Sequence, residues 1–203
     1  MNKIVKTLNT LLFRKSIGTL LILFIVLGTL AFMKTGKTRH EKPRPTFHEF
    51  FEGTRSYTME LAEAMPADKY TFRPTDSVRS FGEQMAHIAM SSKMLLDVFI
   101  KGGSMPTEEG FKEADKIEQE MGKNKEACIK ALEEAFEDIR TTYDSMTPEQ
   151  LEETFVVPFD PNGASFNKHK GFEFVKDHLL HHRGQALVSL RMQGIPAPPY
   201  RLY

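Results

Sequence analysis

The stretch SFGEQMAHIAMSSKMLLDVF, Ser80 to Phe99, decides how the rest of the chain is read. Phe81, Met85, Ile88, Ser92, Leu95 and Phe99 recur at three- and four-residue spacing, which places them along one face of an α-helix. Ser80 and Glu83 form a Ser-x-x-Glu capping box at its start, and Gly102-Gly103 supply the stop. The spacing therefore predicts a helix from Ser80 to Gly102, with His87 near its middle beside the stripe residue Ile88.

The same signals extend in both directions. Thr46 and Glu49 make another capping box behind Pro45, and Phe47, Phe50, Phe51, Thr54, Tyr57, Thr58 and Leu61 follow at helical spacing until Pro66. Residues 66–79, with two prolines, read as a loop. A third helix is predicted over about Asn124–Tyr143 from Cys128, Leu132, Ala135, Ile139 and Tyr143. A fourth runs over about 170–193, ended by Gly194 and Pro196. The polar segment 106–121 reads as partly helical. Residues 147–170 read as a long connection whose FVVPF is a short extended piece, with the proline against a central strand. Four such helices with almost no strand signal predict an all-α four-helix bundle.

The 203 residues carry no net charge, but the balance is uneven. Residues 1–45 hold nine Lys/Arg and one acid, leaving residues 46–203 at −8. So acidic a domain repels phosphate backbones, which argues against nucleic acid as a partner. The single cysteine, Cys128, lies on a predicted helix face and reads as a buried structural thiol.

Residues 17–33, IGTLLILFIVLGTLAFM, carry no charge and approach the length of a membrane span. The reading is a basic amino terminus and membrane segment over 1–33, an uncleaved signal anchor or transmembrane helix, with a cleaved signal peptide as the alternative. A polar linker over 34–45 and a bundle domain over 46–203 follow. The expected placement is membrane-anchored through 17–33, with the bundle on the exported (periplasmic or extracellular) side.

Three of the seven histidines fall within KDHLLHHRGQ, Lys176 to Gln185. His178 and His182 share a helix face one turn apart, within reach of one ion, whereas His181 points about 100° away from His182. His87 offers a third imidazole from the predicted second helix. Three imidazoles would leave a coordination position open, as in catalytic zinc sites. The alternative is a set of half-buried imidazoles bonded to carbonyls or acids. The zincin motif is excluded, because Leu179 stands where its glutamate would be. His40, His48 and His169 read as incidental.

YTFRPTDSVRSFGEQMAHIAM, residues 70–90, taken with HLLHHRGQ, residues 178–185, resembles the DinB/YfiT-like superfamily. The resemblance spans about residues 46–195. Its most specific elements are the FRP loop followed by SFGE-x-x-x-H, and H-x-x-x-H-R-G-Q. It implies a four-helix bundle with an up-down-down-up path and one divalent metal, zinc or nickel, on His87, His178 and His182. The membrane segment lies outside the family's usual domain, and His181 is an extra histidine that could take His182's role if the helix were rotated. Glu83, one turn before His87, is a candidate support for an imidazole, although it also fits the capping box. Gln185, three residues after His182, is another candidate to line the site. Arg183 is expected to pair with an acid.

For function, the resemblance implies a metal-dependent transferase of small thiols, or a hydrolase, acting on small molecules. The alternative is a non-catalytic, membrane-tethered metal-binding or stress-response module, with a homodimer among its allowed assemblies. No Ser-His-Asp or paired-carboxylate constellation competes with the metal, and no feature of the sequence names the substrate.

Overall fold

Every α-helix in the described part of the protein begins behind a side chain that accepts a hydrogen bond from its first turn. The computed structural model describes residues 46–200. The helices are α1 (Phe47–Ala64), α2 (Phe81–Leu96), α3 (Glu108–Met121), α4 (Lys125–Asp144), α5 (Pro148–Glu152) and α6 (Lys168–Met192). Their caps are Thr46, Ser80, Thr107, Asn124, Thr147 and Asn167. Each such cap satisfies amides the helix cannot, for about 1 kcal/mol. α2 passes into a π-helical turn, Asp97–Lys101, which ends at Gly102 with a left-handed φ of 80°.

α1, α2, α4 and α6 form the bundle, and side-chain pairs give their directions. Lys125 at the start of α4 reaches the carbonyl of Glu63 at the end of α1, so these two run antiparallel. Cys128 meets Gly82, and Lys101 meets Asp138, so α2 and α4 run parallel. Phe47 packs on Phe172, and Arg183 reaches Thr54, so α1 and α6 run parallel. α2 lies antiparallel to α6, with Gln84 against Gln185 and Ser91 against His178. The path is therefore up-down-down-up. α2 packs on both α4 and α6, and α1 packs on the same two helices from the other side. The centre is filled by Phe51, Leu61, Phe81, Met85, Ile88, Leu132, Phe136, Phe172 and Leu179, all buried. Each contributes about 1.5–3 kcal/mol of apolar burial.

The connections hold more structure than the sequence indicates. Residues 108–121 form the complete helix α3, and Pro148–Glu152 form α5. The extended piece at FVVPF is β1 (Thr154–Val156), paired antiparallel with β2 (Ser165–Asn167). Its proline falls beyond the paired residues, where it removes no ladder bond. Phe155 stacks on Phe99, with centroids 4.9 Å apart, and so ties the hairpin to the bundle.

Two expectations are corrected. Where a bundle of four helices alone was expected, the described residues hold six α-helices and a hairpin, four of the helices forming the bundle. Among the described residues no helix is long and apolar enough to cross a membrane. The segment 17–33, on which the transmembrane reading and the membrane-anchored, exported placement rested, lies outside the described residues. Each described helix is either too short or too interrupted by polar and charged side chains to form an apolar span of about 20 residues.

Candidate metal centre

α2 turns Gln84, His87 and Ser91 towards α6, because residues three and four apart share a face. The antiparallel α6 answers with Gln185, His182 and His178 in the reverse order. The three imidazoles meet at this seam. Ring centroids lie 4.2 Å apart for His87 and His182, 4.6 Å for His178 and His182, and 5.4 Å for His87 and His178. One ring nitrogen from each lies within 4.8 Å of the others, so the three could hold a metal ion.

The hydrogen bonds around the rings decide which nitrogen each can offer. His182 Nδ1 lies 3.0 Å from Gln84 Oε1, while Gln84 Nε2 donates to Gln185 Oε1 at 2.7 Å. The amide oxygen must accept, so His182 carries its proton on Nδ1. Ser91 donates its hydroxyl proton to the His87 carbonyl at 2.6 Å. It can then only accept from His178 Nδ1, which lies 3.3 Å away. Glu118 Oε2 lies 2.6 Å from His87 Nδ1, and a carboxylate accepts. Each Nδ1 thus serves as a donor to a protein partner, which leaves Nε2 as the nitrogen each ring can offer an ion. This is the donor set a divalent ion requires, with each outer nitrogen held in place. A tetrahedral zinc with bonds of about 2.0–2.1 Å needs its nitrogens roughly 3.4 Å apart. From separations of up to 4.8 Å the nitrogens must close by at most about 1.4 Å, shared among three rings whose χ2 wells are broad. The residues fit the ion.

Electrostatics favour the ligand form. Burial, and then the neighbouring imidazoles, push His178 down to about 4 and His182 down to about 3, so both are neutral near pH 7. Burial alone would raise the Glu118 carboxyl, but hydrogen bonds from His87 and Arg79 outweigh it and hold the group below the usual range. His182 is 8% exposed. The His87 side chain keeps 19% of its surface, so the seam is open on one side.

The remaining candidates divide. Gln185 reaches the site through Gln84, and its Nε2 also lies 2.8 Å from His181 Nε2. His181 is exposed and stays outside the cluster. Glu83 completes the Ser80 capping box and pairs with Arg73 at 2.5 Å, with no bond to an imidazole. Arg183 does not pair with an acid as expected. It lies over the Tyr57 ring at 4.7 Å and donates to the Thr54 carbonyl. The carboxylate that supports His87 is Glu118 of α3, which the sequence reading missed, together with Gln84 and Ser91. The last two were findable, since they flank His87 at helical spacing on its own face. A cavity of about 230 Å³ adjoins Glu118, lined also by Arg73, Arg79, Glu83, Asp115 and Gln119, and by none of the three histidines.

Comparison with known proteins identifies the family. Residues 51–186 match the family model of the DinB superfamily. The uncharacterized protein YjoA of Bacillus subtilis is 25% identical over 154 residues, 74% of this chain and 90% of YjoA. The crystal structure of that DinB-like protein superposes with a TM-score of 0.50 at 21% identity, over 76% of this chain and 97% of the other. A DinB-like protein from Bacillus cereus gives 0.56 at 14% identity, over 76% and 95%. At these identities the structures speak to fold alone. The family match extends over most of the chain and includes the seam of α2 and α6: this protein belongs to the DinB superfamily.

Proposed function

We propose that the bundle holds one divalent ion, zinc or nickel, on His87, His178 and His182. We further propose that it acts as a metal-dependent transferase joining a low-molecular-weight thiol to a small electrophile, with hydrolysis of small molecules as the related activity. The observation that carries the reading is that one ring nitrogen of each imidazole lies within 4.8 Å of the others, while every Nδ1 already has a hydrogen-bond partner. Among the described residues the group consists of three imidazoles, which leaves a position for an exogenous ligand. When bound, the ion supplies Lewis acidity, lowering the pKa of a coordinated water or thiol. The protein supplies the rest. Gln84, Ser91 and Glu118 fix the orientation and tautomer of each ring. The packed helices keep water from the inner side, and the exposed edge of His87 leaves an approach from outside.

The test is elemental analysis of the purified protein, followed by assays pairing small thiols with a chromogenic electrophile, with and without a chelator. Turnover that chelation abolishes and the ion restores is the expected result. Metal bound at one per chain without turnover on any thiol or ester would favour a non-catalytic metal-binding module. Absence of metal after reconstitution would overturn the site.

A further inference from the structure

α3 is a charged helix with a single buried side chain, and that side chain is a glutamate. Gly110, Ala114, Glu118 and Met121 face the bundle, but only Glu118 is buried, at 6% exposure. A carboxylate in such a place is costly unless both oxygens are paired. Here they are. Oε1 accepts from Arg79 Nε, and Oε2 accepts from His87 Nδ1 at 2.6 Å. The other two imidazoles rest on neutral partners, an amide and a hydroxyl. His87 alone has a charged one.

We infer that Glu118, clamped by Arg79, is the positioning carboxylate of this centre, and that α3 is docked on the bundle through it. This rests on the metal reading above. The physical ground is that a carboxylate accepting from Nδ1 raises the basicity of Nε2 and fixes the ring's tautomer and orientation. Arg79, on the loop before α2, holds the carboxylate from its other side and is half exposed towards the adjoining cavity. The linkage runs both ways. An ion on His87 Nε2 makes Nδ1–H a stronger donor to Glu118, so metal binding and the docking of α3 favour each other.

The experiment is a titration of Zn2+ and of Ni2+ into the full chain, in competition with a chromogenic chelator, for wild type, Glu118→Gln and Arg79→Gln. Glu118→Gln keeps the shape but loses the charge and the obligatory acceptor. It should weaken binding about 10–100-fold, with Arg79→Gln weakening it less. Circular dichroism and the melting temperature of the metal-free protein check folding. Two readouts separate positioning from mere structural support. The 15N shifts of the His87 ring should report one tautomer in wild type and a mixture in Glu118→Gln. Amide exchange over 108–121 should slow on adding metal in wild type, and not in Glu118→Gln. Wild-type affinity in both variants, or an unchanged His87 tautomer, overturns the inference while leaving the metal centre standing. A wild type that binds neither ion overturns both.

Discussion

At the scale of single residues, the seam between α2 and α6 makes the histidines unequal. His87→Ala, His178→Ala and His182→Ala should each strip the metal, with losses beyond the roughly 10–100-fold that a lost supporting hydrogen bond brings. His181→Ala should leave stoichiometry nearly unchanged, because its ring lies outside the cluster. Elemental analysis of the four variants decides; metal lost from His181→Ala but retained by His182→Ala would mean a rotated helix. Cys128 offers an independent check. Its side chain is fully buried, with Sγ 3.2 Å from the Met121 carbonyl, and burial pushes the thiol up to about 12. Native protein should therefore resist a thiol-reactive disulfide reagent, and denatured protein should react fully. The sign of the pH effect follows. The folded thiol keeps its proton where the unfolded thiol releases it, so stability falls as pH rises from about 9 towards 12. Between pH 9 and 10 this amounts to about 1 kcal/mol. Denaturant midpoints should show a steeper alkaline loss for wild type than for Cys128→Ala; Tyr70, also raised by burial, contributes in both.

At the scale of elements, the close approach of two backbones holds α3 against the bundle. A Cβ on Gly82 would meet the Gly122 carbonyl oxygen at 1.8 Å, and one on Gly122 would meet the Glu83 nitrogen at 2.6 Å. Backbone cannot move aside as a flexible side chain can. Gly122→Ala should therefore cost at least about 2 kcal/mol in urea unfolding. Because Glu118 sits one turn earlier, the same variant should also weaken metal binding. Ser80→Ala loses a complete capping box at the start of α2 and should cost about 1 kcal/mol without changing metal stoichiometry. The contrast between these variants separates helix stability from the placement of α3. α3 was only partly legible in the sequence because its inward face is glycine, alanine, glutamate and methionine. No large apolar stripe marks it.

At the scale of the whole molecule, an ion that joins α2 to α6 binds only the folded state and stabilises it by mass action. At a free concentration near 100 times Kd the gain is about 2.7 kcal/mol. For a domain of this size that corresponds to a rise of roughly 5–10 °C in Tm. Thermal melts with ion and with chelator should show the difference in wild type, and His182→Ala should show none. An equal response in that variant would place the ion elsewhere.

By itself the sequence determined the four long helices of the bundle and the histidine pair on α6. Those features are local: apolar spacing sets the face of a helix, and a capping side chain sets its start. It also singled out His87, through its position on a helix and the family resemblance. The tertiary structure decided which partners each imidazole has. Gln84 is 98 residues from His182 along the chain, Ser91 is 87 from His178, and Glu118 is 31 from His87. Glu83 was a reasonable candidate by spacing, but its carboxylate is held by its own helix terminus and by Arg73. Glu118 could not be found that way, because no periodicity within α3 states which helix it will lie against. That depends on Gly82 and Gly122 meeting, a contact between segments far apart in the chain that only the packed bundle creates.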